Sequence, residues 1–352
     1  MNAPEPGAPA MPLVSVIVPC YNAEKTLRAC LRSASAQSYP AIEIVVVDDK
    51  SSDRSRAIAR EFRCTLIERP RNEGVSAARN AGAAASRGAV FFFLDSDVAL
   101  DSDAVRNAVR LLREHPGCGC VYGVYATEPL VDDGPVETYR TLHLHHVLAR
   151  AAGQTATAVF ALAAVPRRVF ETAGPFNQNL RSAEDDEYSE RLLTHGYQIR
   201  LSRTVTGRHD EADRLLPLLA EQFQRAQLLR LAARNRLRRG SLKVTRASSL
   251  LAAALAVATV PLVSVQAWLL AVPLAFLAAF ACTDLPLSRF VLRERGVRFL
   301  VFFTIVHFLV HVTLIAGAGT GVIRAAAGHS PGGASPPVTR GPLPTAGKAG
   351  EA

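Results

Sequence analysis

The chain has 352 residues, of which 49% are hydrophobic, and a formal net charge of +9. That length holds a large packed core, and the hydrophobic share excludes a disordered or fibrous chain. The positive charge does not read as a nucleic-acid footprint. Aromatics make up only 7%, and arginines crowd beside the most apolar stretches, so no nucleic-acid partner is expected.

Residues 1–11 are rich in Pro and Ala and read as a flexible N-terminus. They lack a basic start followed by a long apolar run, so no secretory signal is expected and the first domain should stay in the cytoplasm. Val14 to Val18 has the length of a buried strand, and Ala23 to Gln37 follows with apolar residues at helical spacing. Ile42 to Val47 is a second strand ending on Asp48-Asp49. A turn through Ser51, Ser52 and Asp53 then opens a helix toward Arg63. Thr65 to Ile67 (strand), Gly74 to Ala85 (helix) and Ala89 to Leu94 (strand) continue the alternation, which runs into Asp95-Ser96-Asp97. Gly119 to Val124, Thr157 to Ala163 and Gln198 to Leu201 read as further strands, and Arg181 to Thr194 as a charged lead into a helix. This pace predicts an α/β domain over 12–215 with a mostly parallel sheet. Functional loops in such domains lie at the carboxyl ends of the strands, where both acidic clusters fall.

From 216 to 248 the chain is helical in pattern and basic, through Arg225, Arg230, Arg234, Arg236, Arg238, Arg239, Lys243 and Arg246. Ser249 to Cys282 carries no charge, with Pro261, Ser264 and Gln266 offering a break. The run is long for one spanning helix and tight for two, and basic residues on both flanks favour a hairpin over one long tilted helix. Phe299 to Ala318 would add a crossing, giving about three membrane helices within 249–324. Residues 325–352, rich in Gly, Pro, Ser and Ala, read as a disordered tail. The expected location is the inner membrane, multi-pass, with membrane lipids as partners and the first domain cytoplasmic.

Each acidic cluster has two readings. Asp95 and Asp97 at a strand end are hard oxygen ligands for Mg²⁺ or Mn²⁺, or Ser96 and Asp97 cap a turn. Asp48 and Asp49 can accept hydrogen bonds from a nucleoside, or they cap the next helix. Glu184-Asp185-Asp186-Glu187 complements a helix dipole, or supplies a general base. The six cysteines have no C-x-x-C pair and read as scattered reduced residues.

Order and spacing add what single clusters do not. The co-linear pieces are Val14 to Asn22, Ile44 to Asp53, Asn72-Glu73-Gly74, Ala78 to Gly82, Phe93 to Asp97 and Glu184-Asp185. Over roughly residues 12 to 210 the chain resembles the family-2 glycosyltransferases, inverting enzymes with the GT-A fold, a Rossmann-like nucleotide-diphospho-sugar transferase domain. The resemblance implies a nucleoside pocket lined by Pro19, Tyr21 and Asp49, with Arg79 near the donor and Asp95 on its sugar or nucleoside side. It implies Asp97 as the main metal ligand, Asp185 as catalytic base and His209 beside the diphosphate and metal. A UDP- or GDP-sugar donor and a lipid-linked or membrane-proximal acceptor follow from it and from the apolar C-terminal region.

Departures stand beside these matches. Lys50 sits where the family often has Gly, and Gly174-Pro175-Phe176-Asn177-Gln178 replaces Gly-Gly-Phe-Asp-Glu near the acceptor region. Gln222-Phe223-Gln224-Arg225-Ala226 lacks the Trp of processive members, which predicts transfer of a single sugar. His143, His145 and His146 read as a polar helix or loop face. Thr304, His307 and His311 read as contacts to a neighbouring helix, and Gly317 and Gly321 as close packing or a helix end. A nicotinamide-dependent oxidoreductase would need a Gly-rich turn where Pro19-Cys20-Tyr21-Asn22 stands. A non-catalytic membrane scaffold would lack the carboxylates that are present.

Overall fold

The computed structural model describes residues 11–180, 183–227 and 246–326. Its first half alternates β1 Val14–Cys20, α1 Leu27–Ser35, β2 Ile42–Asp48, α2 Ser55–Ala59, β3 Thr65–Glu68, α3 Val75–Ala85 and β4 Val90–Leu94. Parallel pairing joins β1 to both β2 and β4, and β2 to β3. β1 and β4 are buried throughout, which is why they read as apolar runs rather than as alternating strands.

The second half contains β5 Val98–Leu100, α4 Ala104–Glu114, β6 Cys118–Tyr125, α5 Pro135–Arg150, β7 Gly153–Thr155, β8 Leu162–Pro166, α6 Arg167–Ala173, α7 Glu184–Thr194 and β9 Gln198–His209. The strand order is β3-β2-β1-β4-β8-β6-β9-β5, with β7 on β9. β8 runs antiparallel to β4 and β6, so the sheet is parallel at one end and mixed at the other.

Two strands differ from their sequence reading. The strand expected at Thr157 to Ala163 begins only at Leu162, because Ala158 and Phe160 give their backbone N–H groups to Ser189 and Asp185 of α7 instead of to a ladder. The short strand expected at Gln198 to Leu201 continues to His209, pairing with β6, β7 and β5. Its polar stretch Ser202-Arg203-Thr204 hid that length. The extension carries His209 into the site.

The helical region comprises α8 Leu215–Gln227, α9 Ala247–Ala258, α10 Ala271–Cys282 and α11 Leu285–Ala326. Two short 3-10 turns, Val260–Ser264 and Ala267–Leu270, reverse the chain between α9 and α10, at the break expected from sequence. Ala252 and Ala253 pack against Phe280, and the base is closed by Arg246 to Asp284 at 2.9 Å and Ser249 to Thr283 at 2.8 Å. Ser249 to Cys282 is therefore a hairpin. Ala247–Ser264 and Leu285–Arg324 are long and apolar enough to cross a membrane, with mean hydropathies of 1.9 and 2.4; Ala267–Cys282 is shorter.

Gly296 bends α11 at φ 77, a conformation that residues with a Cβ rarely adopt. Beyond the bend, α8 lies against α11. A Cβ on Gly317 would stand 2.5 Å from the Phe223 carbonyl oxygen, and one on Gly321 2.7 Å from that of Gln227. The G-x-x-x-G spacing thus serves close helix packing. The α5 helix docks on the same α11, with Tyr139 and Leu142 among Leu287, Val291, Phe303 and Val306. Tyr139 Oη meets His307 Nδ1 at 3.0 Å, and His145 and His146 pack on Phe290. The three α5 histidines are a docking face. Burial pushes His143 down to about 3, so it is neutral there.

The expectations for residues 1–10, 228–245 and 327–352 lie outside the described residues. Among the described residues all six cysteines are free thiols.

Candidate active site

The carboxyl ends of β1 and β2 form one side of the site. Pro19 lies opposite Val47 in the parallel ladder, and Tyr21 leaves β1 43% exposed. The loops after these strands are stitched together: Ser51 Oγ accepts the Asn22 N–H at 3.0 Å, and Asn22 Oδ1 accepts that of Ser52 at 2.8 Å. Lys50 takes φ 71, which explains why a glycine suits that position.

Asp48 caps its own turn by accepting the Ser51 N–H. Asp49 is 3% exposed and accepts the backbone N–H groups of Glu73 (3.1 Å) and Gly74 (2.7 Å). It therefore fixes the Asn72-Glu73-Gly74 segment ahead of α3.

Arg79, on α3, is the centre of the acidic side and is only 2% exposed. Its two terminal nitrogens reach Asp95 at 3.0 Å and Asp185 at 3.1 Å, with Glu184 at 4.0 Å, and its guanidinium lies over the Phe176 ring. Asn80 exchanges hydrogen bonds with the Phe176 backbone, tying α3 to the segment before α7. Asp185 is the second residue of α7, whose N-cap Ala183 is in the left-handed region at φ 61, and it accepts the Phe160 N–H at 3.2 Å. Burial pushes the Asp185 carboxyl up to about 7, against the lowering pull of Arg79 and with Glu184 and Asp95 adding to the rise. Asp95 is raised as well, by burial and partly offset by Arg79.

Asp97 lies between β4 and β5, and the β5–β9 pairing sets Val98 opposite His209. His209 Nε2 is 3.4 Å from Asp97 Oδ1, while its Nδ1 is 2.7 Å from Glu211 Oε1. Tyr125 stacks on the imidazole with ring centroids 4.6 Å apart. Burial alone would lower the His209 pKa, but Glu211 and Asp97 raise it well above its usual value. A carboxylate oxygen and an imidazole nitrogen at this separation suit two ligands of one small divalent cation, and both donor types serve Mg²⁺ or Mn²⁺ chemistry. The residues present fit a metal.

A second acidic group, Asp133, Glu137 and Asp210, has ligand atoms within 4.8 Å of one another. Lys25 Nζ already bridges Asp133 and Asp210, the latter at 2.8 Å, so an ammonium supplies the positive charge there.

Of the residues singled out from sequence, Arg79, Asp95 and Asp185 form one hydrogen-bonded group, and Asp97 and His209 a second beside it. Pro19, Tyr21 and Asp49 lie along the neighbouring strand ends. Sequence reasoning missed Tyr125, Arg140 and Glu211, and gave Phe176 only as part of a motif near the acceptor region. Only Glu211 left a signal, the His-x-Glu spacing at the end of a strand.

Residues 15–172 match the profile of a family described as glycosyl transferase family 2. The glycosyltransferase AglE of Haloferax volcanii is 30% identical over 227 residues, which are 61% of this chain and 72% of that protein. The glycosyltransferase GlyA of Streptococcus pneumoniae is 43% identical over 107 residues, 29% of this chain and only 15% of that larger protein. Among solved structures, the mannosyltransferase PcManGT from Pyrobaculum calidifontis, in complex with GDP-Man and Mn²⁺, aligns with a TM-score of 0.57. That likeness is 23% in sequence, covers 89% of this chain and 88% of the other, and concerns the fold.

Proposed function

The chain belongs to the family-2 glycosyltransferases, and from that premise we propose a membrane-anchored, inverting enzyme that moves one sugar from a UDP- or GDP-sugar to a lipid-linked or membrane-proximal acceptor. The observation that carries this reading is the Arg79 clamp, which gathers Asp95 and Asp185 beside the Asp97–His209 pair. We assign the nucleoside to Pro19, Tyr21 and the loop fixed by Asp49, the sugar to Arg79 and Asp95, and a Mg²⁺ or Mn²⁺ ion to Asp97 and His209. When bound, the cation neutralises the departing diphosphate.

Asp185 is the base in this account. The acceptor hydroxyl oxygen forms a bond to the anomeric carbon from the face opposite the diphosphate, and its proton goes to the Asp185 carboxylate. The anomeric carbon–oxygen bond to the diphosphate breaks, and the nucleoside diphosphate leaves with the electron pair. A carboxyl held near 7 matches proton transfer at neutral pH. Positioning and charge neutralisation carry the remaining acceleration.

Transfer of a single sugar is supported by the surroundings of α8. Gln222 is buried and Ala226 faces Gly317 of α11, so the segment is a helix-packing face and not a sugar platform. Membrane anchoring is supported by the apolar outer surface, where Leu251, Val265, Trp268, Val301 and Ile305 are all more than half exposed. Counted with their 3-10 turns, the α9 and α10 arms of the hairpin run about 28 Å and about 26 Å, slightly less than the ~30 Å hydrocarbon core. Exposed Arg289, Arg293, Arg295 and Arg298 favour the cytoplasmic side for the sheet domain. We retain 12–215 as the catalytic domain, 216–248 as its basic link and 249–324 as the membrane region.

The test compares Asp97→Ala with Asp185→Asn. Both should lose transfer, Asp185→Asn by about 10²–10⁴-fold, but only Asp97→Ala should weaken metal-dependent donor binding. Equal loss of donor binding in both would contradict the separate roles.

A further inference from the structure

Beyond the residues assigned above, we infer that Glu211 and Arg140 are positioning residues that hold the metal-binding face of His209 toward Asp97. The inference rests on the reading of His209 as a metal ligand. Four side chains form one line of successive contacts: Asp97, His209, Glu211 and Arg140. Their separations are 3.4 Å from Asp97 Oδ1 to His209 Nε2, 2.7 Å from His209 Nδ1 to Glu211 Oε1, and 3.3 Å from Arg140 Nε to Glu211 Oε2.

The chemistry of that line is directional. A carboxylate only accepts, so the contact to Glu211 keeps the proton on Nδ1, and a cation would take Nε2 in exchange for the proton that faces Asp97. Glu211 uses its two oxygens on different partners, one on His209 and one on Arg140, so the carboxylate is fixed at both ends. Arg140 and Glu211 are only 13% and 10% exposed, which keeps solvent from competing for either bond. Tyr125, stacked on the imidazole, blocks rotation out of plane, and its own carbonyl oxygen lies 2.7 Å from His145 Nδ1.

The anchor of this line is α5, which carries both Arg140 and His145. Glu137, on the same helix, accepts the Glu211 N–H at 3.2 Å and so fixes the backbone of the residue that orients the histidine. The α5 helix is in turn held on α11 by Tyr139 and the other histidines. The orientation of the metal histidine is thus built on the helix that joins the catalytic domain to the apolar region. Loss of an outer-shell partner of this kind typically costs about 10–100-fold in metal affinity.

The experiment measures Mn²⁺ binding to the full chain in detergent, alone and with GDP or UDP, by electron paramagnetic resonance. The imidazole nitrogen modulation of bound Mn²⁺ is followed in the wild type, His209→Ala, Glu211→Ala, Glu211→Gln and Arg140→Met. The inference predicts that Glu211→Ala weakens Mn²⁺ about 10-fold or more and diminishes the nitrogen signal. Glu211→Gln, which keeps an oxygen acceptor, should recover part of both, and Arg140→Met should fall between wild type and Glu211→Ala. Glu211→Ala with wild-type affinity and signal, while His209→Ala loses both, would overturn the positioning role and leave the ligand assignment standing. An unchanged signal in His209→Ala would overturn the ligand assignment itself. Glu211→Gln and Arg140→Met remove less of the packing, so a general folding defect confined to Glu211→Ala does not hide the outcome.

Discussion

Replacing Arg79 by Met removes the cation that bridges Asp95 and Asp185 while leaving an apolar stem of similar length. Arg79 is 2% exposed and lies within 3.1 Å of both carboxylates. Stripping one partner from a buried ion pair costs about 3–5 kcal/mol, because the charge left behind has no counter-charge. Here the carboxylates can escape by taking up protons. Asp185, held at about 7 with Arg79 in place, should rise by a further ~1–3 units, the span a neighbouring arginine accounts for. The folded carboxyl then binds its proton far more tightly than the unfolded chain does. Stability of the variant should therefore fall as pH rises from the unfolded carboxyl value toward the raised folded one. At pH 8.5 the deficit in melting temperature should be about 10 °C, using ~2–4 °C per kcal/mol for a domain of this size, and it should shrink at pH 6. In initial-rate assays across pH, the limb of kcat/KM near 7 should move alkaline by roughly 1–3 units, so that activity lost at pH 7 is partly recovered at pH 9. A limb that stays near 7, with the same thermal deficit at both pH values, would refute the reasoning.

Three further outcomes follow from the same geometry. For the wild type, kcat/KM with a hydroxyl acceptor should rise with pH through about 7 and level off above, since the base works only when ionised; a flat profile between pH 6 and 8 would count against Asp185. Lys50→Gly should raise stability by about 1 kcal/mol in thermal unfolding, because φ 71 costs a residue with a Cβ and costs glycine little. Gly317→Leu should lower the melting temperature through a loss of ~1–3 kcal/mol, since its side chain would collide with the Phe223 carbonyl and force α8 away from α11.

Much of the sheet was legible because β1, β2 and β4 are short apolar runs that end on the residues of interest, so strand ends and acidic clusters coincide. The hairpin was legible from Pro261 and Gln266, which interrupt an uncharged run too long for one helix. β9 was not, because eight of its twelve residues are polar and take their order from three partner strands rather than from a hydrophobic alternation. The candidate site was visible as separate carboxylates, but not as a clamp. Arg79 and Asp185 are 106 residues apart, and nothing in a linear pattern says that one guanidinium holds both ends. Arg140 was invisible for the same reason. Its partner Glu211 lies two residues past the end of β9, whereas Arg140 lies on a helix whose sequence reads only as a polar face.

The most direct test is calorimetric binding of a panel of UDP- and GDP-sugars to the full chain in detergent, with and without Mn²⁺. The account predicts that one donor binds, that binding requires the metal, and that Asp97→Ala abolishes the requirement together with the binding. Folded protein that binds no donor in either condition would contradict the central claim.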